Sequence, residues 1–114
     1  MNNPTITRNE LQALIDAGAV TVVEALPAEY YERGHLPGAI NIPHTEVREL
    51  APALLPDKDA AIVVYCANEP CPNSGIATHV LRKLGYTDVR DYAEGKADWT
   101  EARLPLEQEA PVAG

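Results

Sequence analysis

The sequence predicts an α/β domain built on a mostly parallel sheet, and three observations carry that reading. Short apolar runs such as Ala61-Ile62-Val63-Val64-Tyr65 alternate with amphipathic stretches of helical period. The turns between them hold Gly and Pro, as at Gly34-His35-Leu36-Pro37-Gly38 and Pro56-Asp57. With 114 residues the chain suits a single domain, read here as residues 1–114 around one core.

Taken in order, Thr5-Ile6 reads as a short first strand. Thr7 then caps a helix, with Glu10 as its capping-box partner and Leu11, Leu14 and Ile15 as the buried stripe, stopped by Gly18. Val20 to Ala25 is the second strand, and a short helical turn runs from Glu29 to Arg33. Ala39-Ile40-Asn41-Ile42-Pro43 is the third strand. Thr45 is expected to cap the next helix, which carries Val47, Leu50 and Leu54. The fourth strand ends at Cys66. A helix from Ser74 turns Ile76, Val80, Leu81 and Leu84 inward and ends at Gly85. Asp88 to Tyr92 is the last strand, and Gly95 to Ala102 a final short helix holding Trp99. Beyond Pro105 the sequence reads as a frayed tail.

Composition narrows the function classes. The chain has no Phe and one Trp, so its core is mainly aliphatic. A net charge of −8 disfavours nucleic acid and anionic membranes as partners, because both need a positive surface. No apolar run reaches the roughly 20 residues of a membrane span. The opening residues Met1 to Thr5 lack signal-peptide character, so a cytoplasmic location is expected.

Both cysteines, Cys66 and Cys71, fall in one segment between a strand and a helix. There the helix dipole and free N–H groups favour a thiolate, which is the nucleophilic form. Open α/β sheets bind ligands outside the carboxyl ends of their strands, where Cys66 is placed. The segment Ala67-Asn68-Glu69-Pro70-Cys71-Pro72-Asn73-Ser74 is long enough to wrap its N–H groups around a sulfur or an oxyanion, although Pro70 and Pro72 contribute none. No Lys or Arg occurs between Lys58 and Arg82, so any cation near Cys66 must come from elsewhere in the fold. Cys-x4-Cys is off the spacing of zinc sites, and neither a metal nor a cofactor is expected.

Each candidate has a plainer reading beside the functional one. Cys66 is a reactive thiol or a buried apolar cysteine. Cys71 is an incidental loop residue or a resolving thiol for an oxidised or persulfidated Cys66. Ser74 is a helix cap that also offers a hydrogen bond to the Cys66 sulfur. His35 is expected to serve its turn as a buried hydrogen-bonding group rather than in catalysis, and His79 to lie on the surface or line the site. Glu24 and Glu69 are loop-orienting candidates or solvated acids, and Trp99 belongs to the core or a cleft wall.

Further motifs bring out a family resemblance. These are Glu29-Tyr30-Tyr31 leading into Gly34-His35-Leu36-Pro37-Gly38-Ala39-Ile40-Asn41-Ile42-Pro43, then Val64-Tyr65-Cys66, then Ser74-x-x-Ala77 with Leu81 and Gly85-Tyr86. Gly95-x-x-x-Trp99 and Ala102-x-Leu104-Pro105 complete the series. In this order they resemble a rhodanese-like domain over nearly the whole chain. The resemblance implies a three-layer fold, with a central five-stranded parallel sheet flanked by helices. It also implies that Cys66 accepts sulfane sulfur as a persulfide and passes it to a thiol or cyanide. The partners so implied are a small sulfur donor (thiosulfate, polysulfide or persulfide) and a thiol acceptor.

The sequence departs from the family pattern in places. Glu24 and Leu26 stand where an Asp-x-Arg pair is usual, so that arginine and its ion pairing are missing. The active-site loop is two residues longer than usual and has no Arg, Asn73 preceding Ser74. Glu94 replaces the first Gly of a common Gly-Gly pair. Phosphatase-like relatives depend on a loop Arg that clamps oxyanions bidentately, so phosphatase activity ranks low. Small donors such as a persulfide or polysulfide suit this loop better than the thiosulfate dianion. The competing functions are a Cys66–Cys71 dithiol redox protein, for instance an arsenate reductase, and a non-catalytic binding module with the same fold.

Overall fold

The computed structural model describes residues 3–108. Five helices and four strands follow in the order α1 (Arg8–Asp16), β1 (Thr21–Glu24), α2 (Ala28–Arg33), β2 (Ile40–Asn41), α3 (Val47–Leu54), β3 (Ala61–Tyr65), α4 (Asn73–Lys83), β4 (Asp88–Tyr92) and α5 (Gly95–Glu101). The sheet is parallel throughout, in the order β2-β1-β3-β4.

Alternation along the strands splits the core between the two sheet faces. Val23, Ile62, Val64 and Val89 meet Val47, Ala51 and Leu55 from the α3 side, and Ala77 and Leu81 from α4. On the opposite face Val22, Val63, Tyr65 and Tyr92 meet Leu11 of α1, Leu36 and Trp99 of α5. Strands with both faces covered read as continuous apolar runs, and this is why β3 was so plain in the sequence.

The sheet has four strands, not five. Thr5 forms a single parallel bridge to Asp91, the Ile6 amide donates to the Asp91 carbonyl at 3.2 Å, and the Asp91 amide donates to the Pro4 carbonyl at 2.8 Å. Thr7 ends the pairing there, because it is already the N-cap of α1. Its hydroxyl accepts from the Glu10 amide, and the Glu10 carboxylate accepts from the Thr7 amide, completing the expected capping box.

Three local expectations need correction. Thr45 does not cap α3; Glu46 holds that position without a side-chain hydrogen bond, after a turn in which its amide donates to the Pro43 carbonyl at 2.9 Å. The inward stripe of α3 is Val47 and Ala51, continuing to Leu55, so Leu54 faces solvent. On α4 the buried stripe is Ser74, Ala77, Thr78 and Leu81, and Ile76 is exposed. Two of those four are hydroxyl residues, which a count of apolar positions passes over.

The carboxyl-terminal stretch is not frayed through its described part. His35 and Glu107 exchange backbone hydrogen bonds at 2.8 Å each, and the Gly38 amide donates to Glu107 Oε1 at 2.8 Å. Leu106 packs against the core face that holds Leu36. Residues 109–114 of the expected tail lie outside the described residues. Among the described residues, no helix is long and apolar enough to cross a membrane.

Candidate active site

Cys66 follows the last residue of β3 and is fully buried. Its Sγ lies 3.4 Å from Ser74 Oγ and 3.4 Å from the Cys71 carbonyl oxygen, with the thiol as donor in both contacts. α4 begins at Asn73, one residue earlier than expected, with Pro72 at its N-cap and no side-chain cap bond. Ser74 is therefore not the cap. Its hydroxyl, 1% exposed, turns to the Cys66 sulfur instead.

The loop from Ala67 to Pro72 folds back over the thiol. The Cys71 amide donates to the Asn68 carbonyl at 3.1 Å, which spends that N–H inside the loop. Asn68, Glu69, Pro70 and Pro72 are exposed; Ala67, Cys71 and Asn73 are half-buried. From below, α5 fixes the first two carbonyls: the Lys96 amide donates to Cys66 O at 2.9 Å and the Ala97 amide to Ala67 O at 2.8 Å. Gly95 makes this close approach possible. At φ +68°, a Cβ there would stand 2.5 Å from Cys66 O and 3.0 Å from both Ala67 C and Asn68 N.

The electrostatics of the thiol run against the expectation of a helix-depressed pKa. Burial pushes the Cys66 thiol up, and the neighbouring Cys71 side chain adds to the rise. The Ser74 hydroxyl and amide act in the opposite direction without winning. Beside the loop lies a hollow lined by Thr5, Thr7, Glu10, Glu69 and Glu94, which is acidic rather than basic.

The position that usually carries an acid–arginine pair has found a different solution. Glu24, at the end of β1, is fully buried. Its Oε1 accepts from the Tyr65 hydroxyl at 2.6 Å and from Lys96 Nζ at 3.0 Å. Lys96 Nζ also donates to the Tyr30 carbonyl at 3.1 Å, and the Leu36 amide donates to the Tyr65 oxygen at 3.0 Å. Hence the ion pairing read as missing is present, supplied by a lysine from α5. Sequence reasoning missed Lys96 because it lies 72 positions from Glu24; its one local signal is its place directly after Gly95.

The remaining candidates sort cleanly. His35 is 5% exposed, stacks on Tyr31 at 3.8 Å between ring centroids, and pairs Nδ1 with the Tyr31 carbonyl at 2.9 Å, as expected of a residue serving its turn. His79 is half-buried on α4. Trp99 is in the core, its Nε1 donating to the Pro105 carbonyl at 2.9 Å. Glu69 is exposed at the loop tip and does not brace the loop through any hydrogen bond among the described residues. Asp91, also missed, is a buried carboxyl whose pKa burial pushes up.

Comparisons with known proteins agree with this geometry. The model of the rhodanese-like domain matches residues 7–102. The chain is 33% identical over 111 residues to human thiosulfate:glutathione sulfurtransferase, covering 86% of this chain and 94% of that protein. It is 40% identical over 107 residues to the HTH-type transcriptional regulator Rv0324 of Mycobacterium tuberculosis, covering 94% of this chain but only 46% of the regulator. The crystal structure of thiosulfate sulfurtransferase from Pseudomonas aeruginosa superposes with a TM-score of 0.84 at 29% identity, over 95% of this chain and 21% of that one. The human single-domain sulfurtransferase TSTD1 superposes with a TM-score of 0.76 at 28% identity, over 88% of this chain and 97% of that one. A three-layer parallel sheet with a cysteine at the end of a central strand, a family match over most of the chain, and sulfurtransferases among the relatives lead to one assignment: the chain belongs to the rhodanese-like family.

Proposed function

We propose that the protein is a sulfurtransferase in which Cys66 carries sulfane sulfur as a persulfide. The Cys66 thiolate attacks the sulfane sulfur of the donor, and the donor's S–S bond breaks with its electron pair leaving on the departing group. An acceptor thiolate, or cyanide, then attacks the outer sulfur and Cys66 leaves as the thiolate. No net oxidation occurs. The observation that carries this reading is the Cys66 sulfur at the end of β3, 3.4 Å from the Ser74 hydroxyl and roofed by residues 67–72.

The charge around the loop supports a choice of donor. Glu10, Glu69 and Glu94 border the adjacent hollow, and no Lys or Arg lies within the loop. Opposed to a dianion, these charges favour a singly charged persulfide over thiosulfate. A thiol is the acceptor that suits the same surroundings.

Cys71 supports a second reading, a dithiol couple. Its carbonyl accepts from the Cys66 thiol at 3.4 Å, and its side chain raises the Cys66 pKa, so both residues share one small space. In that reading Cys71 resolves an oxidised or persulfidated Cys66 by forming a disulfide.

Mass spectrometry after incubation with polysulfide or thiosulfate tests the proposal. Wild type is expected to gain one sulfur on Cys66, and Cys71→Ser to gain it equally and to turn over. Turnover lost in Cys71→Ser favours the dithiol couple. No sulfur gained by wild type, while the human relative gains it under the same conditions, rejects sulfur transfer and leaves the dithiol couple or a binding module.

A further inference from the structure

Tyr65 ends β3 directly before Cys66, and alternation along the strand sends its side chain to the face of the sheet opposite the thiol. It is fully buried, and a buried phenol needs a hydrogen-bond partner. The hydroxyl donates to Glu24 Oε1 at 2.6 Å and accepts from the Leu36 amide at 3.0 Å. Burial and the Glu24 carboxylate push it well above the ordinary phenol value, so it remains a donor. The same Oε1 takes the Lys96 ammonium at 3.0 Å, and the Lys96 amide returns to the Cys66 carbonyl at 2.9 Å. These contacts close a ring that leaves Cys66 through Tyr65 and comes back to it through Lys96. The peptide carbonyl on each side of the Cys66 α-carbon is tied down, since Tyr65 O also accepts from the Ala25 amide at 2.9 Å. The sulfur itself makes two longer contacts, each 3.4 Å, to Ser74 Oγ and the Cys71 carbonyl.

Stability gives no reason for this ring. A buried acid–ammonium pair is often no better than apolar side chains of the same volume. Glu24 Oε2 is buried without a hydrogen-bond partner among the described residues, which adds a cost. Val22, Leu36, Val63 and Trp99 share that face with Tyr65 as an apolar core, where a phenyl ring would fill the same space without calling for an acid. What the directional contacts add is a fixed distance and angle, which apolar packing alone does not supply.

We propose that Glu24, Tyr65 and Lys96 are positioning residues that clamp the Cys66 backbone from the far face of the sheet and so keep its sulfur aimed at the incoming donor. The clamp rests on Cys66 being the sulfur-carrying thiol, as proposed above. None of the three touches substrate. They act through the two carbonyls beside Cys66 and leave the thiol, on the near face, between Ser74 Oγ and the Cys71 carbonyl. No bond is made or broken within the clamp, and Tyr65 keeps its proton throughout. Loosening it has two effects. The reacting sulfur is misplaced, which slows attack. The thiol also becomes wetter, which lets its raised pKa fall.

The test compares wild type with Tyr65→Phe, which deletes one oxygen and leaves the Glu24–Lys96 pair. Alkylation of Cys66 by iodoacetamide across pH, read by peptide mass spectrometry, gives the midpoint of the thiol titration. Sulfur loading from polysulfide, corrected for the thiolate fraction, gives the reactivity of the aligned sulfur. In the variant the midpoint is expected to move down toward the ordinary thiol value of about 8.5, and loading to slow about tenfold. Lys96→Met is expected to move both readouts the same way, and Lys96→Arg, which keeps a cation for Glu24, to recover most of the loss. Lys96→Arg no better than Lys96→Met overturns the clamp. A side chain that only fills the core would lower the unfolding temperature and leave the midpoint and the corrected rate alone. Either one unchanged in folded Tyr65→Phe therefore overturns the clamp as well. Should the variants not fold, hydrogen exchange in wild type decides. The Lys96 amide is expected to exchange as slowly as the amides of β3, and exchange at the pace of the exposed loop overturns the clamp. Wild type that takes up no sulfur refutes sulfur transfer, and the alkylation midpoint then judges the clamp by itself. Normal uptake with an unmoved midpoint refutes the clamp alone.

Discussion

Lys96 Nζ lies 3.0 Å from Oε1 of the fully buried Glu24, joining the amino end of α5 to the carboxyl end of β1. The backbone of the same lysine holds the Cys66 carbonyl at 2.9 Å. One residue thereby couples a buried charge to the start of the active-site loop.

Replacing Lys96 by Met leaves Glu24 with a carboxylate that water cannot reach. Loss of one partner of a buried pair costs roughly 3–5 kcal/mol, and urea unfolding is expected to show a loss of that order. The double change Glu24→Gln with Lys96→Met is expected to recover part of it. Equal stability of the single and double variants would refute the coupling.

Gly95→Ala places a methyl 2.5 Å from Cys66 O on backbone already at φ +68°. Strain and overlap together are expected to cost about 2–4 kcal/mol. Because the displaced atoms belong to Cys66, Ala67 and Asn68, sulfur uptake should fall roughly tenfold in protein that is still folded. Thermal unfolding and a sulfur-loading time course measure the two effects separately.

These two sites show what the sequence could and could not reveal. The alternation of strands and helices, the capping box of α1, the strand-end position of Cys66 and the Tyr31–His35 turn were legible because each depends on neighbours a few residues apart. The Glu24–Lys96 pair and the packing of Asp91 against Gly75 were not, since they join residues 72 and 16 positions apart. A hydroxyl before a helical stretch is usually a cap, and this is the expectation for Ser74. With Pro72 at the cap, it became free to face the thiol. The expected fifth strand failed for a local reason, since Thr7 cannot both extend Thr5-Ile6 and cap α1.

The raised pKa of Cys66 has a consequence for stability against pH. The folded chain holds the thiol proton more tightly than the unfolded chain does. That contribution is complete below the unfolded thiol value of about 8.5 and is lost as pH rises through the folded value. The urea midpoint of wild type should therefore fall between about pH 8 and 9.5, below the onset of tyrosine ionisation near 10. Cys66→Ala should show a shallower slope over the same window. Parallel slopes would contradict the assignment.

Ending the chain at Pro105 removes both His35–Glu107 backbone bonds, the Glu107 cap on the Gly38 amide and the packing of Leu106. At about 1 kcal/mol per hydrogen bond plus the lost apolar burial, the cost is roughly 2–4 kcal/mol. A melting temperature lower by roughly 10 °C or more is expected from calorimetry. An unchanged value would mean that the docked segment is ornamental.

The residues that fall short of a fifth strand still matter to the sheet. β4 is an outer strand, and the middle of its free margin is taken up by Pro4, Thr5 and Ile6. At the opposite margin, β2 is only two residues long and is followed at once by Ile42 and Pro43. Exposed strand margins invite pairing with another chain and are where aggregation begins. A stub too short to count as a strand on one side, and a strand too short to template one on the other, leave this sheet little to offer a neighbouring copy.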